Sequence, residues 1–280
     1  MTVSVLRLKE WAHPVTPVRR EVLSATPELD EGRPPVLFVP GFGHGAWVFA
    51  EHWLDRAAER GFPAAAVSPR GHGGSGAARR TTLRAYAHDV VQEAAALPRR
   101  AVLVGHGAGA LVVAYALARY PARAAVLVAP VLGGPAEVGV LGTALLRNPL
   151  GTLPAVFGGP LRLRPAQLFS RELPAERARG YAARLGRAAP LAQWQLLAHR
   201  APEPPVGDPP VLVLGSPDDR VVPPAALTRA ARVYGGAPLL FPGMGHDMML
   251  DVRWAEPIDA ILDWLDKGAT TDQGSSSAVT

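Results

Sequence analysis

Two residues of this chain have the types and spacing for acid–base chemistry: Asp219 in "GSPDDRVVPP" and His246 in "GMGHDMMLD". A histidine with one ring nitrogen oriented by a carboxylate can accept a proton at the other, which makes the pair a general base. Asp218 is the alternative acid, one residue nearer the preceding apolar run. A third position is notable for what it lacks. In "VLVGHGAGA" an apolar run enters a helical pattern through Gly105, Gly107 and Gly109, and positions 105 to 110 read Gly, His, Gly, Ala, Gly, Ala, with no side chain able to attack a substrate. The loops "PGFGHGAW" (40–47) and "RGHGGSG" (70–76) also follow apolar runs. Their glycines let backbone approach a ligand closely, and an N–H near Phe42 can serve as an anion donor.

These loops need a scaffold that brings them together. Short β-rich runs recur at 36–40, 64–68, 101–105, 125–130, 211–215 and 238–242. Helical patterns span Trp47 to Arg60, Thr82 to Leu97, Gly107 to Tyr120, Pro224 to Tyr234 and Trp254 to Lys267. Wholly apolar strands alternating with helices predict an α/β fold, a mainly parallel sheet with helices on both faces. In such sheets the loops at the strand C-termini form the ligand crevice. The N-terminal segments "VSVLRLKEW" and "VRREVLSA" suggest an antiparallel edge hairpin. From about Gly133 the alternation gives way to Pro-, Arg- and Ala-rich helical pieces. The division that follows is a core at 1–133 and 202–267, a helical cap at 134–201 and a polar, disordered tail at 268–280.

The glycine run has a rival reading. Gly105, Gly107 and Ala110 satisfy G-x-G-x-x-[GA], a dinucleotide fingerprint. The following strand, "VLVAP", ends without the acid that would hold a ribose, and the unit is the third parallel strand rather than the first. Read instead as a strand–turn–helix elbow, the same residues match G-x-S-x-G everywhere but the serine. Taken in order, "PGFGHGAW", "RGHGGSG", "GHGAG", "GSPDDRVVPP" and "GMGHDMMLD" resemble the loops of the α/β-hydrolase fold family over about residues 34 to 266. The resemblance implies Gly107 at the nucleophile position, Asp219 as acid, His246 as base, and an oxyanion hole from the N–H groups of Phe42 and Ala108. His44, His72 and His106 fall in turns facing the pocket, and the Ala, Leu, Phe157, Phe169 and Trp194 content of the cap suggests an apolar, uncharged small molecule, with Trp194 among the substrate contacts. Ser68 and Ser216 are weak substitutes for the missing nucleophile; His13, His52, His88 and His199 are read as structural or solvated.

Composition narrows the chemistry further. The chain of 280 residues has no cysteine, so disulfides and a thiolate nucleophile are excluded, and its dispersed histidines lack metal-ligand spacing. No cofactor and no metal are expected. The formal charge of +5 is carried by arginines scattered among acids rather than set in a stripe with aromatics, which speaks against nucleic acid. No stretch reaches the roughly 18 apolar residues of a membrane span, and the N-terminus lacks a signal-peptide pattern. The expectation is a soluble, cytoplasmic protein acting on a small apolar molecule without a membrane partner. An ordinary serine esterase is ruled out as written, since losing the serine costs on the order of 10⁶ in kcat. Three readings stay open: a His246–Asp219 general base working without a serine, in lyase-like, cyclase-like or water-activating chemistry; a non-catalytic protein binding a small ligand or partner; and an esterase-like hydrolase with serine changed to glycine at 107.

Overall fold

The computed structural model describes residues 14–77, 81–132, 142, 145–156, 162–198 and 201–275. Among the described residues seven strands form one sheet: β1 Val22–Ala25, β2 Val36–Val39, β3 Ala64–Val67, β4 Val102–His106, β5 Ala124–Val128, β6 Val211–Gly215 and β7 Leu239–Leu240. The spatial order is β1-β3-β2-β4-β5-β6-β7. Among the described residues only the β1–β3 pair is antiparallel; every other pair is parallel. Strands β2 to β5 are buried along their whole length, as strands covered by helices on both faces must be.

The helices are α1 Trp47–Ala50, α2 Trp53–Glu59, α3 Leu83–Ala96, α4 Ala108–Leu117, α5 Pro149–Val156, α6 Pro165–Leu168, α7 Ala175–Ala183, α8 Pro190–Ala198, α9 Pro224–Val233 and α10 Ala255–Ser275. Thr82 starts α3, its side chain accepting the Ala85 N–H at 3.1 Å. Helix α4 is buried on nearly every side, from Ala108 to Leu117, and packs under the sheet centre. Gly109 permits that approach: a Cβ there would lie 2.4 Å from the Val39 carbonyl oxygen, and one at Gly105 would lie 2.6 Å from the Gly109 carbonyl. The glycines that mimic a dinucleotide fingerprint thus serve strand–helix packing.

Several expected elements are shaped differently by tertiary contacts. The single helix read from Trp47 to Arg60 is two, because His52 leaves helical geometry at φ −152° and its ring stacks on Trp254 at 4.5 Å. Of the N-terminal hairpin, "VRREVLSA" supplies β1, which pairs antiparallel with β3; the other expected strand, "VSVLRLKEW", lies outside the described residues. The final strand is shortened to two residues at the sheet edge, and α10 runs past Lys267 to Ser275. A lone glycine such as Gly268 costs a helix only about 1 kcal/mol and does not end it.

Helices α5 to α8 form the insertion between β5 and β6 and touch loops at the strand C-termini. The Gly186 N–H donates to the Gly43 carbonyl at 2.7 Å, the Asp247 N–H to the Leu168 carbonyl at 2.9 Å, and the Arg220 guanidinium to the Ala166 carbonyl at 2.6 Å. The core clusters around β2 to β5, with Phe38, Phe49 and Trp53 stacked on one face and α4 on the other.

Candidate active site

Strand β4 ends in an elbow. Gly107 sits at φ +55°, ψ −122°, a conformation that L side chains rarely adopt. Its N–H donates to the Val128 carbonyl at 3.0 Å, and its own carbonyl accepts the N–H groups of Ala110 and Val131 at 3.1 and 3.0 Å. The turn is therefore locked by backbone alone and keeps its shape with no side chain at its apex.

His246 faces that apex. A Cβ built on Gly107 would lie 3.2 Å from His246 Nε2. On the other side of the ring, Nδ1–H donates to Asp219 Oδ2 at 2.8 Å, which fixes the tautomer and leaves Nε2 with its lone pair toward the elbow. Asp219 is oriented in turn, its Oδ1 accepting the N–H groups of Val221 at 2.6 Å and Val222 at 3.0 Å. Asp218 points elsewhere, exposed and accepting the Gly243 N–H. Burial pulls the His246 imidazole toward neutrality, but the charge of Asp219, its hydrogen bond and the charge of Asp247 together raise its pKa above the ordinary histidine value.

The N–H groups of Phe42 and Ala108 have no acceptor among the described residues. That of Ala108 opens the first turn of α4, where helix N–H groups are free and the helix dipole favours negative charge. Phe42 packs its ring against Tyr86 at 5.3 Å and lines a small, mainly apolar cavity with Val39, Pro69, Val90 and Val112.

A second aspartate–histidine pair adjoins the first. His44 Nε2 lies 3.0 Å from Asp247 Oδ2 and its Nδ1 lies 3.2 Å from the Phe42 carbonyl oxygen, so both ring nitrogens are engaged. Burial opposes that carboxylate, yet His44, through charge and hydrogen bond, with His106 and His246, holds Asp247 down at about 2. His106 ends β4 fully buried; it donates Nε2–H to the His246 carbonyl at 3.1 Å and stacks tilted on the His246 ring at 4.7 Å. Burial, with the nearby His246, pushes its pKa down to about 3.

The structure thus draws together histidines that the sequence scatters. Ligand atoms of His106, His246 and Asp247 lie within 4.8 Å of one another, a grouping that sequence spacing does not reveal. Of their side-chain atoms, His106 Nε2 bonds a carbonyl, His246 Nδ1 bonds Asp219 and Asp247 Oδ2 bonds His44, while His106 Nδ1 and Asp247 Oδ1 are buried with no hydrogen-bond partner among the described residues.

Gly107, Asp219, His246, Phe42 and Ala108 converge. His44 and His106 also reach the cluster, but as buried supports rather than pocket walls. Trp194 does not come to the site: α8 turns it outward to solvent while Ala192 and Gln193 face in. Ser68 and Ser216 are not substitutes for the nucleophile, since Ser68 Oγ bonds Glu21 and the Ala46 N–H, and Ser216 Oγ accepts the Asp218 N–H. His72 donates Nδ1–H to the Arg70 carbonyl, with its pKa lowered by burial. His52 stacks on Trp254 and His88 is partly buried, while His13 and His199 lie outside the described residues. Asp247 escapes sequence reasoning; its one signal is adjacency to His246.

A parallel sheet ending in a glycine elbow, faced by an Asp–His pair and two open N–H groups, has the architecture of hydrolase folds. The sequence matches the model of the alpha/beta hydrolase family over residues 36–264, and the chain belongs to that family. Its structure is similar to that of a thermophilic esterase from Thermogutta terrifontis at 20% identity, with TM-score 0.65 over 89% of this chain and 94% of that one. It is similar to a monoacylglycerol lipase from Paleococcus ferrophilus at 21% identity, TM-score 0.64, over 89% and 98%. An esterase from Rhodococcus sp. ECU1013 matches at 21% identity, TM-score 0.64, over 89% and 94%. At these identities the likeness is one of fold. No curated protein matches the sequence significantly.

Proposed function

We propose that this chain is an α/β-hydrolase-fold enzyme in which His246, held by Asp219, acts as a general base directly on a small apolar substrate or on water. The observation that carries this reading is the position of His246 Nε2, 3.2 Å from the point where a Gly107 side chain would begin, with Nδ1 committed to Asp219. A proton leaving substrate carbon or oxygen, or an attacking water, passes to Nε2. Negative charge developing on a substrate oxygen meets the N–H groups of Phe42 and Ala108, and Asp219 stabilises the imidazolium until the proton is returned. The product follows by elimination, ring closure or addition of water, without an acyl-enzyme.

A second reading has its own support. The elbow keeps a nucleophile's backbone conformation, and the similar structures include esterases and a monoacylglycerol lipase. On that reading the site is esterase-like with glycine in place of serine at 107. The test compares the chain with His246→Ala on a panel of small carbon acids and activated esters. Turnover that disappears in His246→Ala supports the general base, and turnover that survives overturns it. Tight ligand binding with no turnover by either protein favours a binding role.

A further inference from the structure

Charge and exposed apolar surface coincide on the insertion between β5 and β6. Residues 134–201 contain nine arginines against three glutamates, with neither lysine nor aspartate, whereas the rest of the chain holds 20 basic and 21 acidic residues. The positive charge of the whole protein therefore resides in this one segment. On the same segment α5 and α8 pack together. Helix α5 turns Gly151 and Thr152 inward and Leu150 and Leu153 outward, and Leu146 precedes it on the surface. Helix α8 turns Ala192 and Gln193 inward and Leu191 and Trp194 outward. Leu146 and Leu150 are 87% and 82% exposed. Single exposed leucines are ordinary, but three leucines and a tryptophan on two packed helices, with Leu146 just ahead of them, mark a surface that meets an apolar partner.

We propose that this face of the insertion docks on an anionic lipid surface. Exposed Arg147 and Arg162 flank α5 and exposed Arg187 precedes α8, so cations adjoin the outward leucines in the chain, although the Arg147 guanidinium also donates to the Arg220 carbonyl at 2.7 Å. A bilayer with acidic headgroups complements both: acyl chains receive the leucines, the interface suits Trp194, and headgroups meet the guanidiniums. A second copy fits poorly, because apposing two such segments brings like charge together with few acids to offset it. No helix among the described residues is long and apolar enough to cross a membrane, so the contact is peripheral. The sequence reading, which finds no spanning segment and expects no membrane partner, does not register this surface because it depends on which helix faces turn outward.

The docking face is coupled to the site through a short path. Asn148, ahead of α5, donates to the Gln167 side chain of α6 at 3.3 Å, and the Leu168 carbonyl at the end of α6 accepts the N–H of Asp247, the neighbour of His246. A docked insertion would hold the catalytic loops against the source of a lipid-soluble substrate. The surface itself is tested without turnover, so its failure and the failure of the general-base reading are separable.

The experiment is co-sedimentation of the full chain with vesicles of mixed phosphatidylglycerol and phosphatidylcholine, and with phosphatidylcholine alone, beside the double variant Leu146→Asp/Leu150→Asp. Both leucines are exposed, so an unchanged thermal unfolding curve is the control for the fold. The chain is expected to partition onto the anionic vesicles, weaken with added salt, bind the neutral vesicles poorly, and lose at least about tenfold in partition in the variant. No partition onto anionic vesicles overturns the proposal, as does equal partition of the variant. A concentration-dependent dimer in analytical ultracentrifugation that the variant dissolves, with vesicles ignored, assigns the face to a second copy and also overturns it.

Discussion

Asp219–His246 and Asp247–His44 are built from the same residue types, both are buried, and His246 and Asp247 are adjacent in the chain. Their hydrogen bonds differ in one respect. In His246 one ring nitrogen is bonded and the other faces Gly107; in His44 both nitrogens are engaged. A ring with a free, aimed nitrogen can exchange a proton with a substrate, whereas a ring saturated on both sides is a tie between chain segments. The second pair joins the Phe42 loop to the His246 loop across 203 positions of sequence, holding the two loops at fixed separation. Which nitrogen is left open, rather than which residues are present, separates a ring with a free, aimed nitrogen from one that only ties loops together.

The strongest way to sharpen this contrast is to give the open nitrogen a nucleophile. Gly107→Ser is expected to raise turnover of short activated esters by about 10⁶, the factor associated with that hydroxyl. The Cβ would press on His246 Nε2 at 3.2 Å and sit at φ +55°, so the variant should also lose roughly 1–2 kcal/mol of stability, read by denaturant unfolding. Ester kinetics showing no gain would mean that the pocket is shaped for chemistry other than acyl transfer.

Breaking the first pair should affect rate most. Asp219→Asn removes the acceptor that sets the His246 tautomer, and turnover measured on any substrate the chain processes should fall by about 10⁴. Breaking the second pair should affect folding most. Asp247→Asn takes from the buried His44 Nε2 its carboxylate partner, with an expected loss of about 1–3 kcal/mol in denaturant unfolding. If Asp247→Asn keeps full stability and loses only rate, the division between the pairs fails.

The smallest effect expected is in pH dependence, and here too the groups separate. His246 must be neutral to accept a proton, and its pKa is raised, so kcat should climb with pH through a value above about 6.5. A group raised in the folded state stabilises the protein below its unfolded pKa and ceases to do so as pH rises through the folded one. The cluster behind it acts in the opposite direction. His106, at about 3, stays neutral where the unfolded chain would take a proton, so stability declines as pH falls from about 6.5 toward 3. Asp247, at about 2, contributes stability above the ordinary aspartate range and loses it only as pH drops toward 2. Thermal melts across the acid range, set beside kcat against pH, would separate these signatures; coincident inflections would merge the two pairs into one unit.

Much of the site was legible because it is encoded locally. The glycine elbow after an apolar run, the acid before "RVVPP" and the histidine after "PLLFP" each declare a strand C-terminus, and a parallel sheet gathers such ends at one edge. The choice of Asp219 over Asp218 rested on the resemblance, and the two amides of Val221 and Val222 give it a physical cause. Trp194 was misplaced because aromatic content in a cap says nothing about which side of a helix faces in. Ser68 and Ser216 stood at strand ends, but their hydroxyls turn to other loops.

The sequence by itself determined the α/β class, the order of the loops and the absence of a nucleophile at position 107, since those depend on residue type, apolar periodicity and turn chemistry within a few residues. Only the tertiary structure decided that His44, His106 and Asp247 form one buried cluster with His246, and that leucines of the insertion face outward. Those outcomes depend on strand order and helix rotation, which place residues far apart in the chain within hydrogen-bond distance and leave no mark in local spacing.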